Sequence, residues 1–182
     1  EAAKYAAPDE FSNLIQGIGG EGLNAFTAYD VTCYMNSFPS YQMERWLTLY
    51  ADRLTNPVFR SFQAELENVF EEYNMYLDDN STHTRNFIFG KLYEGHAYAR
   101  DIIGYPEDLK NPKMRQLIDF YNTWYVPNNM ALILVGDFDT EAAKPLIEKT
   151  FGKLQARPLP QRTQYPTTAF SQDERYSAKL GY

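Results

Sequence analysis

The hydrophobic residues of this chain follow two spacings, and each spacing predicts a different kind of element. Over most of the chain they recur every three or four positions, which places them on one face of a helix. In shorter stretches they alternate or run together, as is typical of strands. In chain order these spacings predict a helix at about 9–18, strands at 23–28 and 31–38, helices at about 43–54, 59–76, 80–93 and 114–124, a strand at 130–135, a helix at 140–151 and a strand from 176 to 182.

The order of these elements indicates the fold class. Two strands adjoin early in the chain, and a distant strand follows four helices. This order predicts an α+β fold in which helices pack on one face of a mostly antiparallel sheet. Met130–Val135 is a continuous apolar run and predicts a buried strand. Thr140 is expected to cap the helix that follows, together with Asp137 and Asp139.

The end of the chain differs from the rest in composition. Pro158, Pro160 and Pro166 indicate an extended linker over residues 152–170. We therefore predict a domain at 1–151, and a linker with the start of a following subdomain at 152–182. The sequence begins without an initiator methionine or a signal peptide, so we expect it to be a piece of a larger protein, and nothing in it indicates a compartment.

The predicted helix from about residue 59 carries an unusual arrangement of acids. On a helical wheel, Glu67 and Glu71 face away from the apolar stripe, whereas Glu65 and Glu72 lie together at its edge, two turns apart. The stripe consists of Phe62, Leu66, Val69 and Tyr73, and is widened by Phe59 and Phe70. A carboxylate at the edge of a core costs free energy unless a cation compensates its charge. Two alternatives stay open: the edge glutamates contact water or a basic side chain, or they hold a metal ion.

Charge and cysteine content exclude several other classes of function. The chain of 182 residues has a net charge of −7 and no cluster of Lys or Arg, which argues against nucleic acid and anionic membranes as partners. No apolar run approaches the ~20 residues that span a bilayer. Cys33 is the single cysteine, so neither a disulfide framework nor a cysteine-based zinc site is predicted.

Three segments, in this order, resemble the pitrilysin/insulin-degrading-enzyme family of zinc metallopeptidases. The first, residues 19–34, reads GGEGLNAFTAYDVTCY; the second, residues 65–72, reads ELENVFEE; the third, residues 120–139, contains FYNTWYVPNNM and VGDFD. His96-Ala97-Tyr98 is similar to a His-Pro-Tyr segment of the family, with Ala97 in place of proline. The resemblance covers roughly residues 5–155.

The resemblance implies a zinc site that this chain holds only in part. In the family, an H-x-x-E-H helix supplies two zinc histidines and the general base, and a later glutamate completes the site. That correspondence makes Glu72 the zinc ligand and Glu65 a supporting acid. The chain contains no H-x-x-E-H, since its only histidines are His83 and His96, which we interpret as a helix-start residue and a structural loop residue. The resemblance implies that this helix lies upstream of Glu1, so we expect the chain alone to be inactive.

The resemblance also implies a substrate-binding strand. Asn24, Ala25, Phe26 and Thr27 correspond to an edge strand that pairs with the extended backbone of a peptide. From the residues alone, an ordinary paired strand remains the alternative. The implied partners are a peptide substrate and a further homologous domain or subunit that completes a chamber.

Two functional hypotheses follow from the resemblance. In the first, the chain is part of a zinc endopeptidase. In the second, it comes from a non-catalytic homologue that serves as a binding or scaffold subunit. Retention of Glu65, Glu72 and the Asn-Ala-Phe-Thr strand favours the first hypothesis, because a homologue without activity has no chemical need for the pair of glutamates.

Overall fold

The computed structural model of the chain describes residues 7, 9–165 and 172–179. These residues form the predicted mixture of helices and an antiparallel strand pair, so the α+β class is confirmed. The helices are α1 (Glu10–Gly17), α2 (Met43–Thr55), α3 (Phe62–Leu77), α4 (Asn80–Leu92), α5 (Pro106–Leu109), α6 (Met114–Trp124) and α7 (Thr140–Thr150); the strands are β1 (Glu21–Thr27) and β2 (Thr32–Ser37). Within the described residues, no helix combines the length and apolar character that crossing a bilayer requires.

Local polar side chains decide where two of these helices begin. The carboxylate of Asp79 accepts hydrogen bonds from the amides of Ser81 and Thr82 and so caps α4, which begins at the predicted residue 80. The carboxylate of Asp139 accepts a hydrogen bond from the amide of Ala142 and caps α7. Of the residues predicted to cap this helix, Asp139 is confirmed, because its side chain supplies the oxygen, whereas Thr140 is wrong as a cap because it is the first helical residue.

The described residues group into two compact units. The first unit comprises the described parts of Glu1–Phe26, Thr32–Ser61 and Met114–Pro160. The second unit comprises the described parts of Thr27–Val31, Phe62–Lys113 and Gln161–Tyr182. The first unit holds α1, α2, α6, α7 and almost all of the β-hairpin. The second holds the glutamate helix α3, together with α4, α5 and the hairpin tip. The predicted division at residue 151 stays a prediction.

The core of the first unit forms around α2, whose apolar stripe is the one predicted from the sequence. Its buried cluster consists of Ile15, Met43, Trp46, Leu47, Tyr50 and Ala143. Gly20 contacts this cluster closely, since a Cβ atom there would lie 2.5 Å from Cγ2 of Ile15. Asn36 of β2 joins the hairpin to the core: its Oδ1 accepts hydrogen bonds from Nε1 of Trp46 at 3.0 Å and from the hydroxyl of Tyr50 at 2.7 Å.

Two predicted strands are absent from the described residues. Met130–Val135 forms no strand, and Ile133 and Val135 are 78% and 92% exposed, so the prediction of a buried strand is wrong here. The physical reason is that a strand requires a partner for its backbone groups, whereas this segment contributes only side-chain packing, through Leu134, to the core. The prediction of a strand at 176–182 is wrong for residues 176–179, and residues 180–182 lie outside the described residues.

Candidate metal and substrate site

The stripe predicted for α3 has the expected orientation, although the helix begins three residues later than predicted. Ser61, with a φ of 55°, precedes it and is not helical. The residues of the stripe are half-buried, and all four glutamates are exposed. Glu65 and Glu72 lie on one side of the helix, about 10 Å apart along its axis at 1.5 Å per residue. This separation is too large for both carboxylates to be direct ligands of one ion, since metal–oxygen distances are only about 2 Å.

A tyrosine one turn further along α3 orients the carboxylate of Glu72. The hydroxyl of Tyr76 donates a hydrogen bond to Oε1 of Glu72 at 3.1 Å. This bond to the carboxylate favours the protonated phenol and raises the pKa of Tyr76. We did not predict this contact, although the separation of four residues in a helix is a signal that could have indicated it. One oxygen of Glu72 is thereby fixed, and the other remains available to a further partner.

A small cavity lies beside this pair, between the end of α3, the start of α4 and residues 101–105. Its volume is about 120 Å³, and Tyr76, His83 and Asp101 are among the side chains that line it. Nε2 of His83 lies 2.7 Å from the carbonyl oxygen of Leu77 and donates to it. Asp101 accepts a hydrogen bond from Asn86 and pairs with Arg85 at 3.5 Å. His83 therefore lies in the first turn of α4, in agreement with its interpretation as a helix-start residue, and its ring bonds the last residue of α3.

His96 has a structural role in its loop, as the sequence indicated. Its Nδ1 accepts a hydrogen bond from the amide of Tyr98 at 3.0 Å and caps the short 3₁₀ turn Ala97–Ala99. An Nδ1 that accepts leaves the proton of the neutral ring on Nε2. The ring also packs against Tyr93, Tyr98 and Tyr165.

The described residues do not complete a zinc site by themselves. Among them, no group of three or more His, Cys, Asp or Glu side chains is placed to hold a metal ion. A catalytic zinc takes three protein donors and keeps a fourth position for water. Glu72 can supply one carboxylate oxygen, so the donor set present here does not fit the ion without donors from elsewhere.

The strand that carries Asn24, Ala25, Phe26 and Thr27 is exposed along its whole length. In the described residues β1 pairs with β2 in a two-stranded sheet. The amide of Ala25 donates a hydrogen bond to Oδ1 of Asn24 at 2.8 Å. This backbone donor is thus bonded to the side chain of the preceding residue.

Two sequence families match this chain. The family described as Insulinase (Peptidase family M16) matches residues 1–105, and the family described as Peptidase M16 inactive domain matches residues 113–180. The first match contains the hairpin, α3 and α4, and the second contains α6 and α7.

Proteins similar to this chain are named as proteases. It is 30% identical over 158 residues to the probable zinc protease PqqL of Escherichia coli (strain K12), covering 82% of this chain and 17% of PqqL. It is 34% identical over 137 residues to the uncharacterized zinc protease YmfH of Bacillus subtilis (strain 168), covering 74% of this chain and 32% of YmfH. The chain therefore spans less than a third of the length of either relative.

Solved structures share the same fold. The crystal structure of the periplasmic protease PqqL matches with a TM-score of 0.77 at 26% identity, over 88% of this chain and 19% of that one. A mutant of the ferredoxin protease FusC, solved in complex with Arabidopsis ferredoxin, matches with a TM-score of 0.73 at 25% identity, over 87% of this chain and 18% of that one.

Proposed function

Because this chain belongs to the insulinase family, peptidase family M16, we propose that it is part of a zinc-dependent metalloendopeptidase that hydrolyses peptides bound as an added β-strand. Its relatives are named zinc proteases, which supports a peptidase and supports zinc as the metal. Binding of a protein by a solved neighbour supports a peptide or protein substrate.

Glu72 is the zinc ligand in this proposal, and Glu65 is the acid that supports the site. The observation that carries it is the exposed carboxylate of Glu72, which has one oxygen held by Tyr76 on a helix within the matched region. The remaining donors and the general base come from an H-x-x-E-H helix outside this sequence. The bound zinc would supply Lewis acidity, while the residues of this chain orient Glu72 and bind the peptide. The chain alone is therefore inactive in this proposal.

Asn24, Ala25, Phe26 and Thr27 bind the peptide backbone in this proposal. An added strand gains affinity from main-chain hydrogen bonds, and side-chain pockets give preference for particular residues. For the amide of Ala25 to donate to a substrate carbonyl, Oδ1 of Asn24 must release it, and the carboxamide is then free to bond the same substrate. The exposed ring of Phe26 offers apolar contact to a side chain of the peptide.

A second candidate function is a non-catalytic subunit that binds other proteins. Residues 113–180, which match the inactive domain of the family, would form part of such a binding subunit. In either case, a further homologous domain or subunit is the proposed partner that completes a chamber around the substrate.

Zinc content of the full-length protein tests the proposed function. We expect about one zinc per chain in the wild type by elemental mass spectrometry, because a catalytic site binds a single ion. Glu72→Gln should lose most of this zinc and the peptidase activity, while its circular dichroism stays unchanged, because an exposed helical glutamine keeps the packing of α3.

Glu67→Gln is the matched control, since it makes the same chemical change on the solvent side of the same helix. It should retain both zinc and activity. If Glu72→Gln keeps full zinc, the ligand assignment is wrong. If the wild type itself binds no zinc, the non-catalytic function replaces the peptidase.

A further inference from the structure

The tip of the β-hairpin directly continues the strand proposed to bind substrate. Residues 27–31 leave β1 at Thr27, and the amide of Ala28 donates to the carbonyl of Val31 at 2.7 Å to close the turn. These residues group with the second unit, whereas the strands before and after them group with the first. The tip therefore belongs to the second unit, although it follows β1 directly in the chain.

Tyr98 makes two separate contacts with the tip. Its hydroxyl donates a hydrogen bond to the carboxylate of Asp30. Its ring stacks on the ring of Tyr29, with centroids 4.6 Å apart and planes 30° apart. The ring of Tyr29 also stacks on that of Phe89 of α4, with centroids 6.0 Å apart. A charge-assisted hydrogen bond and an aromatic stack thus act on adjacent residues of a four-residue turn.

Tyr98 is itself rigidly held, which makes it suitable as an anchor. Its amide donates to Nδ1 of His96, and the two rings meet nearly edge to face, at 4.5 Å and 78°. The ring of Tyr93 contacts it from the end of α4 at 5.4 Å. Every one of these groups belongs to the second unit. The contacts therefore form one continuous aromatic cluster from α4 to the hairpin tip.

We propose that Tyr98 is a positioning residue for peptide binding, which fixes the end of β1 through Asp30 and Tyr29. This inference rests on the proposed role of residues 24–27 as the strand that receives the peptide. An added strand must align several backbone hydrogen bonds at once, and a strand whose end moves would lose conformational entropy each time a peptide binds. With the anchor in place, that entropy is lost on folding, and the peptide binds a strand that is already ordered.

The first experiment compares Tyr98→Phe with the wild type in the full-length protein. The phenylalanine ring preserves the stacks with Tyr29 and His96 and removes only the hydroxyl that bonds Asp30. We expect Kd for a fluorescein-labelled β-casein peptide, measured by anisotropy with zinc chelated so that no cleavage occurs, to rise about fivefold. In cleavage assays KM should rise by the same factor and kcat should stay within about twofold. Tyr41→Phe, at a tyrosine that is 82% exposed, is the control and should change neither constant.

Two further measurements separate positioning from a loss of folding. Amide hydrogen exchange in Tyr98→Phe should quicken at residues 26–31 and stay unchanged in α2. Asp30→Ala should reproduce the rise in Kd, and the double variant should bind no more weakly than either single variant, because both changes remove the same bond.

Unchanged Kd in Tyr98→Phe, or equal losses in kcat and KM with faster exchange throughout the chain, overturns the inference. A wild type that binds the peptide but holds no zinc contradicts the metalloendopeptidase and leaves the positioning test valid, since the anisotropy measurement needs neither metal nor cleavage. A wild type that binds no peptide overturns the inference itself.

Discussion

The two units of this chain differ in how much apolar side chain each of them buries. Within the described residues, all eight buried apolar side chains belong to the first unit, and α3 of the second unit buries none of its residues. The second unit has stacked aromatic rings, a capped helix start and hydrogen bonds to carboxylates, as the first unit also does, but without that burial. Apolar burial dominates folding free energy, whereas polar contacts give direction more than stability. The first unit thus carries most of the stabilising burial, whereas Glu65 and Glu72 lie in the second unit.

Leu47→Ala tests this comparison with the largest expected effect. Leu47 is fully buried in the first unit, so the substitution should lower the free energy of unfolding by about 2–5 kcal/mol. Leu66→Ala makes the same change on the half-buried face of α3 and should cost less than about 1.5 kcal/mol. The measurement is guanidinium denaturation followed by fluorescence of Trp46 and Trp124, which both lie in the first unit, and by helical circular dichroism, which reports both units. Equal costs at the two leucines would contradict the division.

Asn36→Ala is the next largest change and concerns the polar part of the same core. It leaves the indole of Trp46 and the hydroxyl of Tyr50 without their common acceptor, which should cost about 1–3 kcal/mol. Asn36→Asp keeps an acceptor and should recover much of the loss. The same denaturation measurement applies. If Asn36→Ala has no effect, water replaces the acceptor and the hairpin contributes little to this core.

Alkaline pH should weaken the first unit through its tyrosines. Desolvation raises the pKa of Tyr34, Tyr50 and Tyr121 above the ordinary value near 10. The unfolded chain therefore loses these protons at a lower pH than the folded chain does. The stability that the folded chain gains by keeping these tyrosines protonated is fully present below about pH 10 and declines as the pH rises above it.

The fluorescence-detected denaturation midpoint at pH 9, 10 and 11 measures this decline. Tyr34→Phe should reduce the slope, because the phenylalanine has no hydroxyl to ionise and so removes one of the groups whose pKa burial raises. Tyr41→Phe, at the exposed tyrosine, should leave the slope unchanged. A midpoint that is constant to pH 11 in the wild type would show that these tyrosines ionise as easily in the folded chain as in the unfolded chain.

The smallest expected effect is in the second unit, at the cap of α4. Hydrogen bonds from Ser81 and Thr82 lower the pKa of Asp79, so its contribution is present above the ordinary carboxyl pKa near 3.9 and is lost as the pH falls through the lowered value. Asp79→Ala should reduce helical circular dichroism slightly at neutral pH and lower the melting temperature by a few degrees. At a pH near 2 the variant and the wild type should coincide. Asp78→Ala, one residue earlier, is the control and should behave as the wild type.

Elements determined by neighbouring residues could be predicted from this sequence. The stripe of α2, the capping of α4 by Asp79 and the orientation of Glu65 and Glu72 all follow from residues within four positions of each other or from a single helical repeat. The cap of α7 is Asp139 and not Thr140. The sequence could not separate the two, because both are good capping residues and only the backbone decides which of them is helical.

Features that depend on distant residues could not be predicted. Whether Met130–Val135 pairs as a strand depends on a partner elsewhere, so its composition alone led to a wrong prediction. The bond between Tyr98 and Asp30 joins residues 68 positions apart, and no local pattern indicates it. The resemblance implied Glu72 and residues 24–27 as site residues, whereas the contacts of Tyr98 with Asp30 and Tyr29 emerged only from the structure.

The carboxamide of Asn36 also determines which face of β2 meets the core. A shift of β2 by one residue past α2 would turn its side chains to the opposite face and put Met35 or Ser37 where Asn36 accepts its two bonds. The indole N–H of Trp46 and the phenol of Tyr50 would then lose their acceptor, so these two bonds oppose such a shift. Because β1 pairs with β2, the facing of the whole hairpin depends in part on a single carboxamide.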